Sequence, residues 1–241
     1  MPRRMLLTAL LFSTLLFPFP LSAQKAQEPG EILSRAEASY VQVTDYSCLF
    51  DAKELVRNKY YEEGNIKVKF KKPHSYYMKW AQGKEKGQEV IYSEGKYNNE
   101  LQAHTGGFFS FVSVSLDPDG SIAKRKGNHP IYQLDIGYLL KLLRTNYDLH
   151  NKLQLGTIVV EGEELLKGIN TVTIRADFPE GKGFYAKRIY VHFDTETSLP
   201  VRIEAYNWED KLKERFHFSH IQLNRGFAEK DFDIGNQEYG F

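Results

Sequence analysis

The chain has 241 residues, and its 32 lysines and arginines against 31 aspartates and glutamates give a formal net charge of +1. Because a nearly neutral protein has no strong field to steer a polyanion, we expect no nucleic-acid partner. The length allows one sizeable hydrophobic core or two small ones. Cys48 is the single cysteine, which excludes an internal disulfide, and its apolar neighbours predict a buried thiol.

The first 23 residues have the three-part layout of a secretory signal peptide. A basic start leads into the apolar run Leu6 to Phe17, and small residues end the segment at Ala23. An uncleaved membrane anchor is the disfavoured alternative, because the run is shorter than the ~20 residues that a span needs and prolines follow it. We therefore predict a signal peptide over 1–23 and one soluble domain over 24–241, located in a bacterial periplasm.

Three consecutive strands are predicted between Lys187 and Leu223, because apolar and polar residues alternate there with a period of two. A similar alternation from Asn65 to Lys71 places lysines on the opposite face. We interpret that basic face as a solvated outer surface in preference to a contact with lipid headgroups. A strand after Pro73 carries Tyr76, Met78 and Trp80 on one face. With these, the residues of the predicted dry face are Ile66, Val68, Phe70, Tyr76, Met78, Trp80, Ile189, Val191, Phe193, Val201, Ile203, Ala205, Phe216 and Phe218.

Two amphipathic helices are predicted from apolar residues that recur about once per helical turn. The first begins near Gly30, and the second covers Ile131 to Tyr147, with Leu139 and Leu143 in its apolar stripe. A turn is predicted at 62–65. The aromatic run after Gly107 is either a strand covered on both faces or a mobile apolar flap.

Together these elements predict a mainly β (α+β) fold. A single curved antiparallel sheet of about eleven strands forms an unclosed half-barrel, covered on its concave side by two or three helices. The sheet is expected to curl, because its long apolar face must be hidden from water and two short helices would cover too little of a flat sheet. The concave side then holds either a packed core or an apolar pocket, and the alternation alone does not choose between them.

No sequence motif of catalysis or phosphate binding occurs: the patterns HExxH and GxSxG and the phosphate loop are all absent. The seven histidines do not cluster like metal ligands, and His217 and His220 are expected on opposite faces of a strand. Asp231 and Asp233 are interpreted as capping a helical turn and not as an acid/base pair. We therefore predict no enzyme activity, no metal and no cofactor.

The order of these elements resembles the LolA and LppX superfamily of lipoprotein carriers. The features that carry the resemblance are the N-terminal amphipathic helix, the basic strand GNIKVKFKKP, the leucine-rich helix, the meander with DTETSLPVRIEAYNWED, and a late Asp-Phe-Asp segment. The resemblance implies an unclosed eleven-stranded half-barrel, a helical lid and a hydrophobic cavity for acyl chains. It covers most of residues 30–241.

By position, the resemblance implies a set of ligand-binding residues in that cavity, for each of which an ordinary core position is the alternative. They are Phe70, Met78, Trp80, Leu139, Leu143, Ile189, Val191, Phe193, Ile203, Phe216 and Phe218. The predicted function is a soluble periplasmic carrier of lipid or acylated lipoprotein, monomeric and without stable membrane contact. The alternative is an envelope sensing or scaffolding module that docks a protein partner, as regulators of the MucB type do.

Overall fold

The computed structural model describes residues 27–106 and 113–241. The predicted signal peptide and the aromatic run from 107 to 112 lie outside these residues. Two α-helices and eleven β-strands are described. In chain order they are α1 (Pro29–Val41), β1 (Asp45–Val56), β2 (Lys59–Lys71), β3 (Ser75–Trp80), β4 (Glu89–Ser93), β5 (Leu101–His104), β6 (Ser113–Leu116), α2 (Ile136–Leu153), β7 (Thr157–Leu166), β8 (Ile169–Asp177), β9 (Arg188–Asp194), β10 (Pro200–Tyr206) and β11 (Leu212–Leu223).

All eleven strands belong to one sheet in the order β6-β5-β4-β3-β2-β1-β11-β10-β9-β8-β7. Each neighbouring pair is antiparallel. The first and last strands pair in the middle of the sheet, while β6 and β7 are the edge strands among the described residues. The predicted mainly β fold with an unclosed sheet and covering helices is therefore confirmed.

The turn predicted at 62–65 is wrong, because β2 runs through it without a break. The chain reverses earlier, at Arg57 and Asn58, whose φ angles of 50° and 64° are those of a tight hairpin turn. Instead of a turn, the register between β1 and β2 shifts beside Gly64, and Asn65 has a φ of 54°. The glycine and asparagine therefore mark a β-bulge, whose sequence signature overlaps that of a turn.

The apolar residues of alternating strand positions form one core with both helices on the same face of the sheet. Ile203 and Ala205 at the centre of β10 are fully buried, as is Ala36 on α1. Burying a side chain such as Ile203 contributes about 1.5–3 kcal/mol. The core therefore lies on the face that the alternation assigned to the dry side.

Helix α2 begins five residues later than the predicted Ile131, because Asp135 caps it. The Asp135 carboxylate accepts hydrogen bonds from the backbone N–H groups of Gly137 and Tyr138, at 2.6 and 3.0 Å. The helix is tied to α1 by Arg144, whose guanidinium donates two hydrogen bonds to Glu37, at 2.8 and 2.6 Å. These contacts hold α2 across the concave side of the sheet.

The C-terminal segment, residues 227–241, packs on the opposite, convex face. Phe232 is buried there with Tyr77 and Ile91, and the ring of Tyr239 stacks on Tyr77 with centroids 3.9 Å apart. Lys69, on the predicted basic face, donates to the Tyr239 hydroxyl at 3.0 Å. The outer surface is thus partly covered by the chain itself. In the described part of the chain, no helix is both long and apolar enough to cross a membrane.

Candidate functional site

A cavity lies at one end of the concave face, between strands β1 to β5 and the loop that leads from β6 to α2. The volume that a water molecule can reach is about 280 Å³. Its wall is mainly apolar, with charged groups at one side. The lining includes Phe50, Ala52, Ile66, Met78, Trp80, Val90, Leu101, Ala103, Leu116, Ile131 and Leu134, with Glu54, Glu63, Lys126 and His129 among the charged and polar groups.

The loop over this cavity is fixed by ionic contacts to the sheet. Lys126 lies 2.8 Å from a carboxylate oxygen of Glu63 and also contacts Glu85. The other oxygen of Glu63 accepts a hydrogen bond from the Trp80 indole at 3.1 Å. The Glu63 carboxylate therefore holds both Trp80, which is a predicted cavity residue, and Lys126 in the loop above it.

A second, narrower space lies beneath the two helices on the side of β7 to β9. Its water-accessible volume is about 40 Å³. Four of the predicted ligand-binding residues line it: Leu143, Ile189, Val191 and Phe193. This crevice has room for only a few water molecules and is too small for a chain of many carbons.

The middle of the concave side is filled by α2. Leu139, Ile203, Phe216 and Phe218 surround a gap of only about 10 Å³. Phe70 lies outside all of these spaces, in an aromatic cluster with Tyr46 and Tyr76 at centroid distances of 4.9 and 5.0 Å. Of the predicted binding residues, Met78 and Trp80 are the two that line the large cavity.

Where the large cavity approaches this central gap, Glu54, His129 and Glu214 form a polar cluster. Glu54 and Glu214 are 6% and 1% exposed, and the His129 side chain is 8% exposed. His129 Nε2 lies 2.8 Å from Glu214 Oε2, and the Tyr185 hydroxyl donates to Glu214 Oε1 at 2.6 Å. One potential ligand atom from each of Glu54, His129 and Glu214 lies within 4.8 Å of the others, as in a metal site.

The protonation of this cluster is perturbed by burial and by mutual charge. Burial raises the pKa of Glu54 to about 6, and the charge of Glu214 acts in the same direction. Burial alone would lower the pKa of His129, but its hydrogen bond to Glu214 and the two carboxylates outweigh burial and raise it. Burial also lowers the pKa of Lys213, which lies over the Tyr185 ring.

Sequence reasoning missed this cluster because its members come from β1, a loop and β11. A signal was present: Glu54 has the same strand parity as Phe50, and Glu214 has that of Phe216, so both acids fall on the dry face. A charged residue at a dry-face position is unusual unless it is paired or binds something. His129 lies in a loop and gives no such periodic signal.

Several solved structures resemble this chain over most of its length. MucB has 16% identity and a TM-score of 0.49, covering 86% of this chain and 62% of its own. The lipoprotein LppX of Mycobacterium tuberculosis has 12% identity and a TM-score of 0.48, covering 86% and 100%. A LolA superfamily protein of Nitrosomonas europaea has 11% identity and a TM-score of 0.34, covering 86% and 98%. At these values the likeness indicates no shared function.

The solved structures thus include members of the superfamily that the sequence resembles. No curated protein matches the chain. A family model described as "Protein of unknown function (DUF1571)" matches residues 43–241. The chain therefore belongs to the DUF1571 family.

Proposed function

We propose that this protein binds the acyl chain of a lipid or lipoprotein in the large concave cavity and carries it as a monomer through a bacterial periplasm. The observation that carries the proposal is the mainly apolar cavity between β1 to β5 and the loop above them, with its volume of about 280 Å³. The predicted signal peptide supports the location. The proposed role is binding and transport, without a chemical reaction.

The size of the cavity supports a small apolar ligand or part of a longer one. Ligand sites in proteins span roughly 300–1,000 Å³, so this cavity lies at the lower end. Each methylene buried there contributes about 0.8 kcal/mol. Eight methylenes then contribute about 6 kcal/mol, which, before the cost of association is subtracted, corresponds to a Kd no lower than tens of micromolar.

The arrangement of polar groups supports an amphiphile in preference to a hydrocarbon. Met78, Val90 and Leu101 line the apolar part of the cavity, while Lys126 lies at its loop side. An acyl chain lying along the apolar wall places its headgroup near the charged side. The alternative of a docked envelope protein has no supporting feature among the described residues and stays a prediction.

The test is the lipid content of the protein after gentle purification, measured by native mass spectrometry. Ala103 lines the cavity and is partly buried, so Ala103→Phe places a ring in the space proposed for the ligand. We expect the Kd for lipid to rise at least ~5-fold and the bound lipid fraction to fall accordingly, since overfilling a site costs about 1–3 kcal/mol.

Ala228→Phe is the matched control. It adds the same side-chain volume, but at a position that is exposed in the C-terminal segment. This variant should retain the lipid. Equal lipid content in the two variants, or no lipid in the unsubstituted protein together with no binding of fatty-acid probes, would contradict the proposal.

A further inference from the structure

The two glutamates of the polar cluster occupy an unfavourable position for a simple sheet. Glu54 on β1 and Glu214 on β11 are direct partners in the strand register, and both are buried on the concave face. Like charges directly opposite each other destabilise a sheet, and burial removes the water that would screen them. A positive group between them would relieve both costs.

His129 brings a nitrogen to the same point. Its Nε2 atom lies 2.8 Å from Glu214 Oε2, and a carboxylate oxygen of Glu54 completes a set of three atoms within 4.8 Å. Imidazole nitrogen and carboxylate oxygen are ligands of zinc in proteins, and sites with three protein ligands keep a further position open. Since Glu54 and His129 also line the large cavity, that position is reached from the cavity.

Each of the three side chains has a hydrogen-bond partner outside the cluster. Gln133 contacts His129 Nδ1 at 3.2 Å, and the Tyr185 hydroxyl donates to Glu214 Oε1 at 2.6 Å. The backbone N–H of Asn128 donates to Glu54 Oε2 at 2.6 Å. The Tyr185 hydroxyl also lies 3.2 Å from His129 Nε2. Outer hydrogen bonds of this kind fix the ligands of metal sites.

We propose that Glu54, His129 and Glu214 bind a divalent transition-metal ion of the zinc class, with an open coordination position toward the cavity. Two carboxylates and a neutral imidazole carry a charge that one divalent ion neutralises. The ion replaces the direct contact between His129 Nε2 and Glu214 Oε2. A tetrahedral zinc ion about 2.1 Å from its ligands holds them about 3.4 Å apart, so His129 and Glu214 separate slightly on loading. The site does not depend on the acyl-binding proposal.

The test is titration of the EDTA-treated protein with zinc chloride by isothermal calorimetry. We expect one site in the unsubstituted protein. His129→Gln and Glu214→Gln should each raise the Kd at least ~100-fold, because each removes a ligand. Tyr185→Phe keeps all three ligands but loses the hydroxyl that donates to Glu214 and lies 3.2 Å from His129 Nε2, so it should raise the Kd roughly 10–100-fold.

His74→Gln is the control, because His74 pairs with Glu94 at 3.1 Å on the surface, away from the cluster. It should bind zinc like the unsubstituted protein. Cobalt(II) titration of the unsubstituted protein gives a readout that needs no variant to fold: intense visible absorption bands show an ordered site of low coordination number. Absence of both a zinc site and these bands, or zinc binding that His129→Gln leaves unchanged, would overturn the proposal.

Discussion

The carboxylate of Asp135 connects α2 to the sheet, and its removal has a cost that can be worked from the structure. Asp135 is 4% exposed. It caps α2 through Gly137 and Tyr138 and accepts a hydrogen bond from the buried Tyr76 hydroxyl at 2.6 Å. Loss of a helix cap costs about 1 kcal/mol, and a buried hydroxyl left without a partner costs about 1–3 kcal/mol.

We therefore expect Asp135→Ala to lower the free energy of unfolding by about 2–4 kcal/mol. For a chain of this size the corresponding fall in Tm is about 4–16 °C. The assay is urea unfolding monitored by circular dichroism. The slope of the free energy of unfolding against urea concentration should be the same in the variant and the unsubstituted protein. Tyr76→Phe should cost about 1–2 kcal/mol in the unsubstituted protein but recover about 1–3 kcal/mol in the Asp135→Ala background, where it removes the hydroxyl that has lost its partner.

A loss below about 0.5 kcal/mol for Asp135→Ala would refute the reasoning. So would an equal cost of Tyr76→Phe in both backgrounds, because the two side chains would then be energetically independent.

Three further predictions concern other parts of the chain. Phe232→Ala removes a buried side chain worth about 3–5 kcal/mol and should release the C-terminal segment, with at least ~10-fold faster tryptic cleavage after Lys230. The control Ile234→Ala, at a 39% exposed position, should leave the cleavage rate unchanged. Equal cleavage rates in the two variants would contradict an anchoring role for Phe232. Burial raises the pKa of the Cys48 thiol, so Ellman's reagent should react only after unfolding; fast reaction of the folded protein would show the thiol to be accessible. Burial and the charge of Lys167 lower the pKa of His217 despite its contact with Asp51. As pH falls, the unfolded histidine takes up a proton near pH 6.5, before the folded one does. The contribution of neutral His217 to the free energy of unfolding is therefore complete above that pH and is lost as pH falls below it. Urea unfolding should show a smaller loss below about pH 6.5 in His217→Gln than in the unsubstituted protein, and identical pH dependence in both would contradict the assignment.

The sheet could be predicted from the sequence because strand alternation is a local signal. Ile189, Val191 and Phe193 fall on the buried face of β9 as their spacing indicates. Element ends were less predictable, since Gly64 and Asn65 suit a bulge as well as a turn. The sequence predicts too early a start for α2, because the apolar residues Ile131 and Leu134 precede its cap at Asp135.

The distribution of empty space could not be predicted from the pattern. Phe216 and Met78 have the same dry-face character, yet Phe216 packs beneath α2 and Met78 lines the large cavity. Whether an apolar position is filled depends on the volumes of side chains brought from distant strands and helices. The polar cluster was missed for a related reason, because β1 and β11 become neighbours only in the folded sheet.

The most direct test of acyl binding uses Met78, because it is the single methionine of residues 24–241 and lines the large cavity. Its side-chain methyl group, labelled with carbon-13, is observed by NMR while a spin-labelled fatty acid is added. The proposed function predicts saturable broadening of the Met78 signal and its recovery on addition of excess unlabelled fatty acid. A Met78 signal that stays sharp at saturating probe would contradict an acyl chain in this cavity.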